Sequence, residues 1–454
     1  MIALTLAEIA AITGGSVSSG HDDVVVSAAP SIDSRALIKG GLFVAILGER
    51  VDGHAYVAGA LESGAAASLV TIPVPGPYVL VEDAVVALGA LAKAVVARLH
   101  VLHGLRVVAI TGSQGKTTVK DILAQVLAPA GEIVAAVGSF NNELGVPLTA
   151  LRATESTRFL IVEMGARGIG HIAALCTIAP PDVAVVLNVG QAHIGQFGSR
   201  EAIAQAKGEL VEALKPDGVA ILNADDPAVA AMRSRTSARV STFGQSGDVS
   251  VSDVSIADDG MASFTLTIDG TSKRVTLRLL GRHQVANAAA AAAVAAALGL
   301  GVDVIAEGLS SAESVSSMRM ERHERIDGII IINDAYNANP DSMAAAVRTL
   351  ASLSDSGHRY AVLGEMLELD ESAEEQHRAI GRLVSELGIE TLIAVGEGGR
   401  PIGDGATSGE VLYAADVDTA VAILEMRLKR RDVVLVKASR AVGLERVAAA
   451  LLAR

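Results

Sequence analysis

A chain of 454 residues is long enough for about three domains, each able to bury its own core. Its formal charge is −14, 2% of its residues are aromatic and it has no Trp, which argues against a nucleic-acid surface of basic patches and stacking platforms. A single cysteine, Cys176, excludes an intramolecular disulfide framework and a Cys-based zinc site and suits a reducing cytoplasm.

The opening segment, Met1 to Ala10, lacks a basic n-region and a small-residue cleavage site, so no secretory signal is expected. Residues 1–80 mix short strands, helices and glycine-rich turns until Pro73, Pro75 and Pro77 interrupt regular structure. From about 85 onward helices alternate with apolar strands. Helices are expected at 84–100, 117–128 and 201–214, and strands at 106–110, 159–163 and 183–188. That alternation predicts a mostly parallel sheet covered on both faces. Residues 239–280 are more polar and β-rich. Val285 to Leu300 is the one membrane-like stretch, but it is short, Ala-dominated and contains Asn287, so a closely packed helix is expected. The pattern restarts near 315, with strands at 329–332, 360–363, 392–395 and 433–436 forming a second open α/β unit.

The most informative segment is Ile110-Thr-Gly-Ser-Gln-Gly-Lys-Thr-Thr118, a glycine-rich turn between an apolar strand and a helical pattern. Gly112 and Gly115 let the backbone approach an anion, while Ser113, Gln114 and the amides of Lys116, Thr117 and Thr118 surround it at a helix N-terminus. Lys116 can neutralise phosphate charge and the Thr117 hydroxyl can ligate Mg²⁺. The spacing between the glycines is two residues shorter than in the common P-loop. The expected architecture is therefore α/β with three domains. A small mixed α/β N-terminal domain (1–84), a central P-loop-type, mostly parallel domain (85–314) that would bind ATP, and a Rossmann-like C-terminal domain (315–454) are expected.

Ligands in open α/β sheets bind beyond the carboxyl ends of the strands. Glu163 ends one apolar run there, and His193 lies in the loop beyond the strand at 183. With Thr117, these two could hold a divalent cation beside a triphosphate. Lys207 falls on the apolar stripe of the 201–214 helix, between Ile203 and Leu210. A buried ammonium loses hydration and shifts toward the neutral amine, which CO₂ can carbamylate into an anionic oxygen ligand. The alternative is a lysine whose stem merely covers apolar surface. Both readings stay open on the residues alone.

The loop at 111–118, Val162-Glu-Met-Gly165, Ala192-His-Ile194, Ala206-Lys-Gly-Glu209, His283-Gln-Val-Ala-Asn287 and Asn333-Asp334 together resemble the Mur ligases, in order and over nearly the whole chain. That resemblance implies ATP-dependent peptide-bond formation in peptidoglycan synthesis, with Lys207 carbamylated and Thr117, Glu163, His193 and Lys207 around Mg²⁺. It implies that Lys116, Glu163, His193 and Lys207 are catalytic, and that Asn287, Arg319 and Asp334 contact ATP after hinge closure. Within the family, Phe140-Asn-Asn-Glu-Leu-Gly-Val-Pro147, Asp334-Ala-Tyr-Asn-Ala-Asn-Pro340, Leu363-Gly-Glu-Met-Leu-Glu-Leu369 and Lys437-Ala-Ser-Arg440 are similar to the members that add D-alanyl-D-alanine to UDP-N-acetylmuramoyl-tripeptide. Ser34 and Arg35 are then candidates for the UDP-substrate, Asn141 and Asn142 for its peptide, and Asn337, Ser439 and Arg440 for the dipeptide. From the residues alone, Arg35 could equally pair with Asp33 and the asparagines could equally make a turn. Asp370 stands where a glycine is expected. A cytoplasmic monomer with small-molecule partners, no nucleic acid and no membrane insertion is the expectation. The rivals are a sibling ligase that adds the third residue, a folylpolyglutamate-type synthetase, a regulatory NTPase and a UDP-sugar-binding protein.

Overall fold

The computed structural model describes residues 1–48, 51–190, 194–353 and 357–453. Three sheets organise them, with a separate two-stranded pair, Leu4–Thr5 with Val25–Val26, at the start. The first sheet has four short strands, in the order Ser16–Val17, Tyr78–Leu80, Ala67–Val70 and Leu42–Val44.

The second sheet has nine strands and turns on Arg106–Thr111, which lies between the parallel strands Val183–Val186 and Thr157–Glu163. From this strand the chain runs to the edge strand Glu132–Ala135, returns to Thr157–Glu163, and then crosses to Val183–Val186 on the other side. The reversal opens a crevice beyond the carboxyl ends of these strands. Val219–Asn223, Arg239–Gly244 and Val249–Ile256 extend the parallel sheet, and Met261–Ile268 and Thr271–Leu280 finish it as antiparallel hairpins. In Met261–Ile268 the buried Ala262, Phe264, Leu266 and Ile268 alternate with more exposed residues, so one face covers the core.

Two helices connect these layers. Lys116–Leu127 buries Val119, Ile122, Leu123, Val126 and Leu127. It packs on Gln284–Ala297, whose Ala288 to Ala295 are all buried; small side chains allow that close approach. Ala84–His103 begins at the Asp83 cap and ends at Gly104, in a left-handed conformation at φ 68°. By length and composition this helix could cross a membrane, a property the sequence reading had placed only at 285–300. Its Leu88, Leu91, Val95 and Leu99 are instead buried with Leu6 and Ile9 of the N-terminal unit and Val146 of the central one. Each such burial contributes about 1.5–3 kcal/mol, so one continuous core crosses position 84.

The third sheet has six strands rather than the four expected, in the order Glu321–Glu324, Ile330–Asn333, Val433–Lys437, Arg359–Leu363, Thr391–Val395 and Glu410–Ala414. All neighbours are parallel except the first pair. Val433–Lys437 is inserted between Ile330–Asn333 and Arg359–Leu363, which gives this unit its own switch point.

Candidate active site

The carboxyl ends of the second and third sheets face one cavity of about 1270 Å³. Its lining includes every residue from Gly112 to Thr118, together with Asn141, Asn142, Glu163, Lys207, Asn287, Arg319, Asp334, Asn337, Ser439 and Arg440. Among the described residues of the N-terminal unit only Ile32 reaches it, and Ser34 and Arg35 stay outside the lining. Arg35 is exposed and bonded to Asp33 at 2.8 Å; that guanidinium holds the Asp33 carboxyl down to about 2. His193 lies outside the described residues.

Gly115 caps the Lys116–Leu127 helix with φ 84°, and no side chain caps the first amides of that helix. A Cβ at Gly115 would sit 2.5 Å from Asn287 Oδ1, so both backbone conformation and space require glycine. The loop is stapled to the neighbouring strand end: Gln114 N donates to Asn188 Oδ1 at 3.0 Å, Asn188 Nδ2 donates to Gln114 O at 3.2 Å, and Gly190 N donates to Ser113 Oγ at 2.9 Å. Asn188 was not singled out in the sequence; the available signal was a polar residue just beyond an apolar strand at a switch point. Lys116 Nζ donates to Gly112 O at 2.7 Å, and burial lowers its pKa against the opposing pull of Glu163.

Glu163 ends its strand fully buried, and among the described residues neither carboxylate oxygen has a hydrogen-bond partner. Burial raises its pKa, opposed by Lys116, Arg319 and Lys120 and by the nearby Thr117 hydroxyl. Two unpartnered carboxylate oxygens near a buried threonine hydroxyl form a hard-oxygen donor set, which fits a hard divalent cation. Among the described residues no three His, Cys, Asp or Glu side chains gather at metal-ligating spacing.

Lys207 is buried on the Arg200–Glu212 helix and forms no hydrogen bond or ion pair with a described residue. Burial pushes its amine well below the ordinary lysine value, and the Lys116 charge acts in the same direction. The helix is pinned on either side of it. Arg235 donates to Ala204 O at 3.1 Å and Gln205 O at 2.9 Å, and Glu209 accepts from Gly170 N at 2.5 Å and Ala173 N at 3.0 Å. The Lys207 amine is thereby held at a fixed position in the cavity wall.

From the third sheet, Asp334 Oδ2 pairs with Lys437 Nζ at 2.7 Å, while Asp334 Oδ1 accepts from Met320 N at 3.0 Å. Lys437 also donates to Asn337 O at 2.9 Å. Asn142 Oδ1 accepts from Gly145 N at 2.9 Å and so caps a turn while still lining the cavity. Ser439 Oγ accepts from Leu367 N at 2.9 Å, and Arg440 pairs with Glu445 at 3.0 Å. His283, half-buried on the lining, is lowered to about 4 by desolvation and stays neutral.

The Mur ligase family catalytic-domain model matches residues 30–109, the Mur ligase middle domain 110–295, and the Mur ligase glutamate ligase domain 318–440. A UDP-N-acetylmuramoyl-tripeptide–D-alanyl-D-alanine ligase of Mycobacterium tuberculosis is 45% identical, covering 100% of this chain and 98% of its own length. A MurF crystal structure from Acinetobacter baumannii has a TM-score of 0.90 at 31% identity, covering 100% of this chain and 99% of that one. The MurF ligase of Thermotoga maritima in complex with ADP has a TM-score of 0.81 at 33% identity, covering 93% and 97%.

Proposed function

The chain belongs to the Mur ligase family, and we propose that it joins D-alanyl-D-alanine to UDP-N-acetylmuramoyl-tripeptide at the expense of ATP, giving the UDP-pentapeptide, ADP and phosphate. The observation that carries the reading is the shared cavity. A phosphate loop, a buried unpartnered carboxylate, a buried lysine whose pKa is pushed down and the carboxyl end of a second α/β sheet all meet there.

A carboxylate is a poor acyl donor, so its oxygen first attacks the γ-phosphorus of ATP and ADP leaves. Two anions must meet in that step. Lys116 and the amides of 115–118 neutralise the phosphate charge, with Arg319 approaching from the third sheet. A Mg²⁺ ion held by Thr117, Glu163, His193 and carbamylated Lys207 would supply further charge neutralisation. The dipeptide amine then attacks the acyl carbon, and the tetrahedral intermediate expels phosphate. Closure of the cavity excludes water that would otherwise hydrolyse the acyl phosphate. Asn287 and Asp334 serve the nucleotide, Asn141 and Asn142 the tripeptide, and Asn337, Ser439 and Arg440 the dipeptide. Ser34 and Arg35 of the N-terminal domain (1–84) serve the UDP end, beyond the cavity lining. We place the enzyme in the cytoplasm as a monomer.

The test is phosphate release from ATP and Mg²⁺ with UDP-N-acetylmuramoyl-tripeptide, with and without D-alanyl-D-alanine. Release that requires both substrates, with the UDP-pentapeptide identified by mass, is expected. Release with neither would refute the reading in favour of an NTPase switch.

A further inference from the structure

Tyr336 stands apart from the phosphate loop, yet it touches both halves of the site. The Arg319 guanidinium carbon lies 4.1 Å from the centroid of its ring, the geometry of a cation–π stack. Its hydroxyl is hydrogen-bonded to Ser139 Oγ, in the central unit, two residues before Asn141. Arg319 has no carboxylate partner among the described residues, so the Tyr336 ring is what holds its guanidinium.

The backbone that delivers Arg319 is strained on both sides. Met318 at φ 58° and Met320 at φ 53° are left-handed, a conformation that side-chain-bearing residues adopt at a cost. Three contacts hold them there. Met318 N donates to Glu321 Oε2 at 2.9 Å, Tyr336 N donates to Met318 O at 3.1 Å, and Met320 N donates to the Asp334 carboxylate that Lys437 fixes. Tyr336 therefore fixes the linker through its backbone and the guanidinium through its ring. Its hydroxyl closes the bridge to the central unit.

We infer that Tyr336 is a positioning residue that couples the peptide-side segment 139–142 to the placement of Arg319 beside the nucleotide phosphates. The inference rests on the ligase reading above. When the two units meet, the Ser139 bond stops the ring from swinging, and Arg319 is aimed into the cavity. When they part, that bond breaks and the guanidinium loses its support.

The experiment is a set of mutant cycles in the full-length enzyme, read by phosphate release and by affinity for a non-hydrolysable ATP analogue. Tyr336→Phe keeps the ring and removes the bridge; with Ser139→Ala it should lower kcat about tenfold, the effect of one hydrogen bond, and the double variant should be no worse than either single. Tyr336→Leu removes the stack and should cost more, but should cost nothing further in an Arg319→Ala background. A purely structural role would lose the same factor in both backgrounds, and that result would overturn the inference. Multiplying losses in the Tyr336→Phe, Ser139→Ala double variant would overturn the bridge. If wild-type protein formed no UDP-pentapeptide, the ligase reading would fail separately, and the nucleotide-affinity cycle would still decide whether Tyr336 acts through Arg319.

Discussion

Lys207→Met separates the two readings of the buried lysine. The substitution nearly conserves side-chain volume, so packing alone should cost under about 1.5 kcal/mol. It also removes a buried amine that no described residue hydrogen-bonds, a group whose burial costs about 1–3 kcal/mol. The variant should therefore be as stable as the parent or slightly more so, while turnover falls by orders of magnitude. The pH dependence sharpens the contrast. The folded pKa of Lys207 is lowered and the unfolded value is ordinary, so between them the unfolded chain binds one more proton. Stability conferred through this group thus rises with pH, by up to about 1.4 kcal/mol per unit, toward the ordinary lysine range. In CO₂-depleted buffer, urea titrations from pH 7 to 9 should show the parent gaining on Lys207→Met. Lys207→Ala, which leaves space, should recover part of its turnover with added short-chain carboxylic acids. Near-native turnover in either variant, or a flat stability difference with loss of stability, would leave Lys207 as a stem covering apolar surface.

The other perturbations are read more simply. Lys116→Ala should abolish ATP-dependent product while circular dichroism and melting stay close to the parent; retained activity would remove the phosphate-cradle argument. Gly115→Ala forces a Cβ into a left-handed residue 2.5 Å from Asn287 Oδ1, so it should cost at least about 1–2 kcal/mol and weaken ATP-analogue binding more than tenfold by calorimetry. Arg35→Ala should leave melting unchanged and raise only the KM for the UDP-substrate; an unchanged KM would make Arg35 no more than the partner of Asp33.

What the sequence conveyed follows from how local each signal is. The phosphate loop is contiguous, and its strand and helix appear as Arg106–Thr111 and Lys116–Leu127, within a residue of the expected limits. In the third sheet, the strands missed were those without a buried apolar run. Glu321–Glu324 reads Glu-Arg-His-Glu, and Glu410–Ala414 lies at a sheet edge with Glu410 and Tyr413 facing outward, so neither carries a buried stripe. The strand expected at 183–188 ends at Val186, because Asn188 turns away to bond the phosphate loop. Asn188, Tyr336 and Lys437 act through partners 74, 197 and 103 positions away, distances at which spacing says nothing. Asp370, where a glycine was expected, sits at φ 45°. The expectation thus detected a real left-handed position, and aspartate is among the side chains that tolerate it.

The site concentrates the unfavourable features of the fold. Lys207, buried, and Lys116, half-buried, are pushed toward neutrality, one buried carboxylate has no hydrogen-bond partner among the described residues, and two methionines are left-handed around a guanidinium with no ion pair among them. A fold selected for stability alone would replace these with apolar contacts. Each instead has the sign that an incoming group relieves. On the proposed mechanism, phosphate would answer Lys116 and Arg319, a divalent cation would answer Glu163, and CO₂ would convert the Lys207 amine into a ligand for that cation. The net charge of −14 makes this local reversal necessary, since a chain repelling anions overall must gather its few buried cations where the triphosphate sits. That is also why the lining spans two sheets: one switch point supplies the loop and the carboxylate, and the segment leading into the other sheet supplies the arginine.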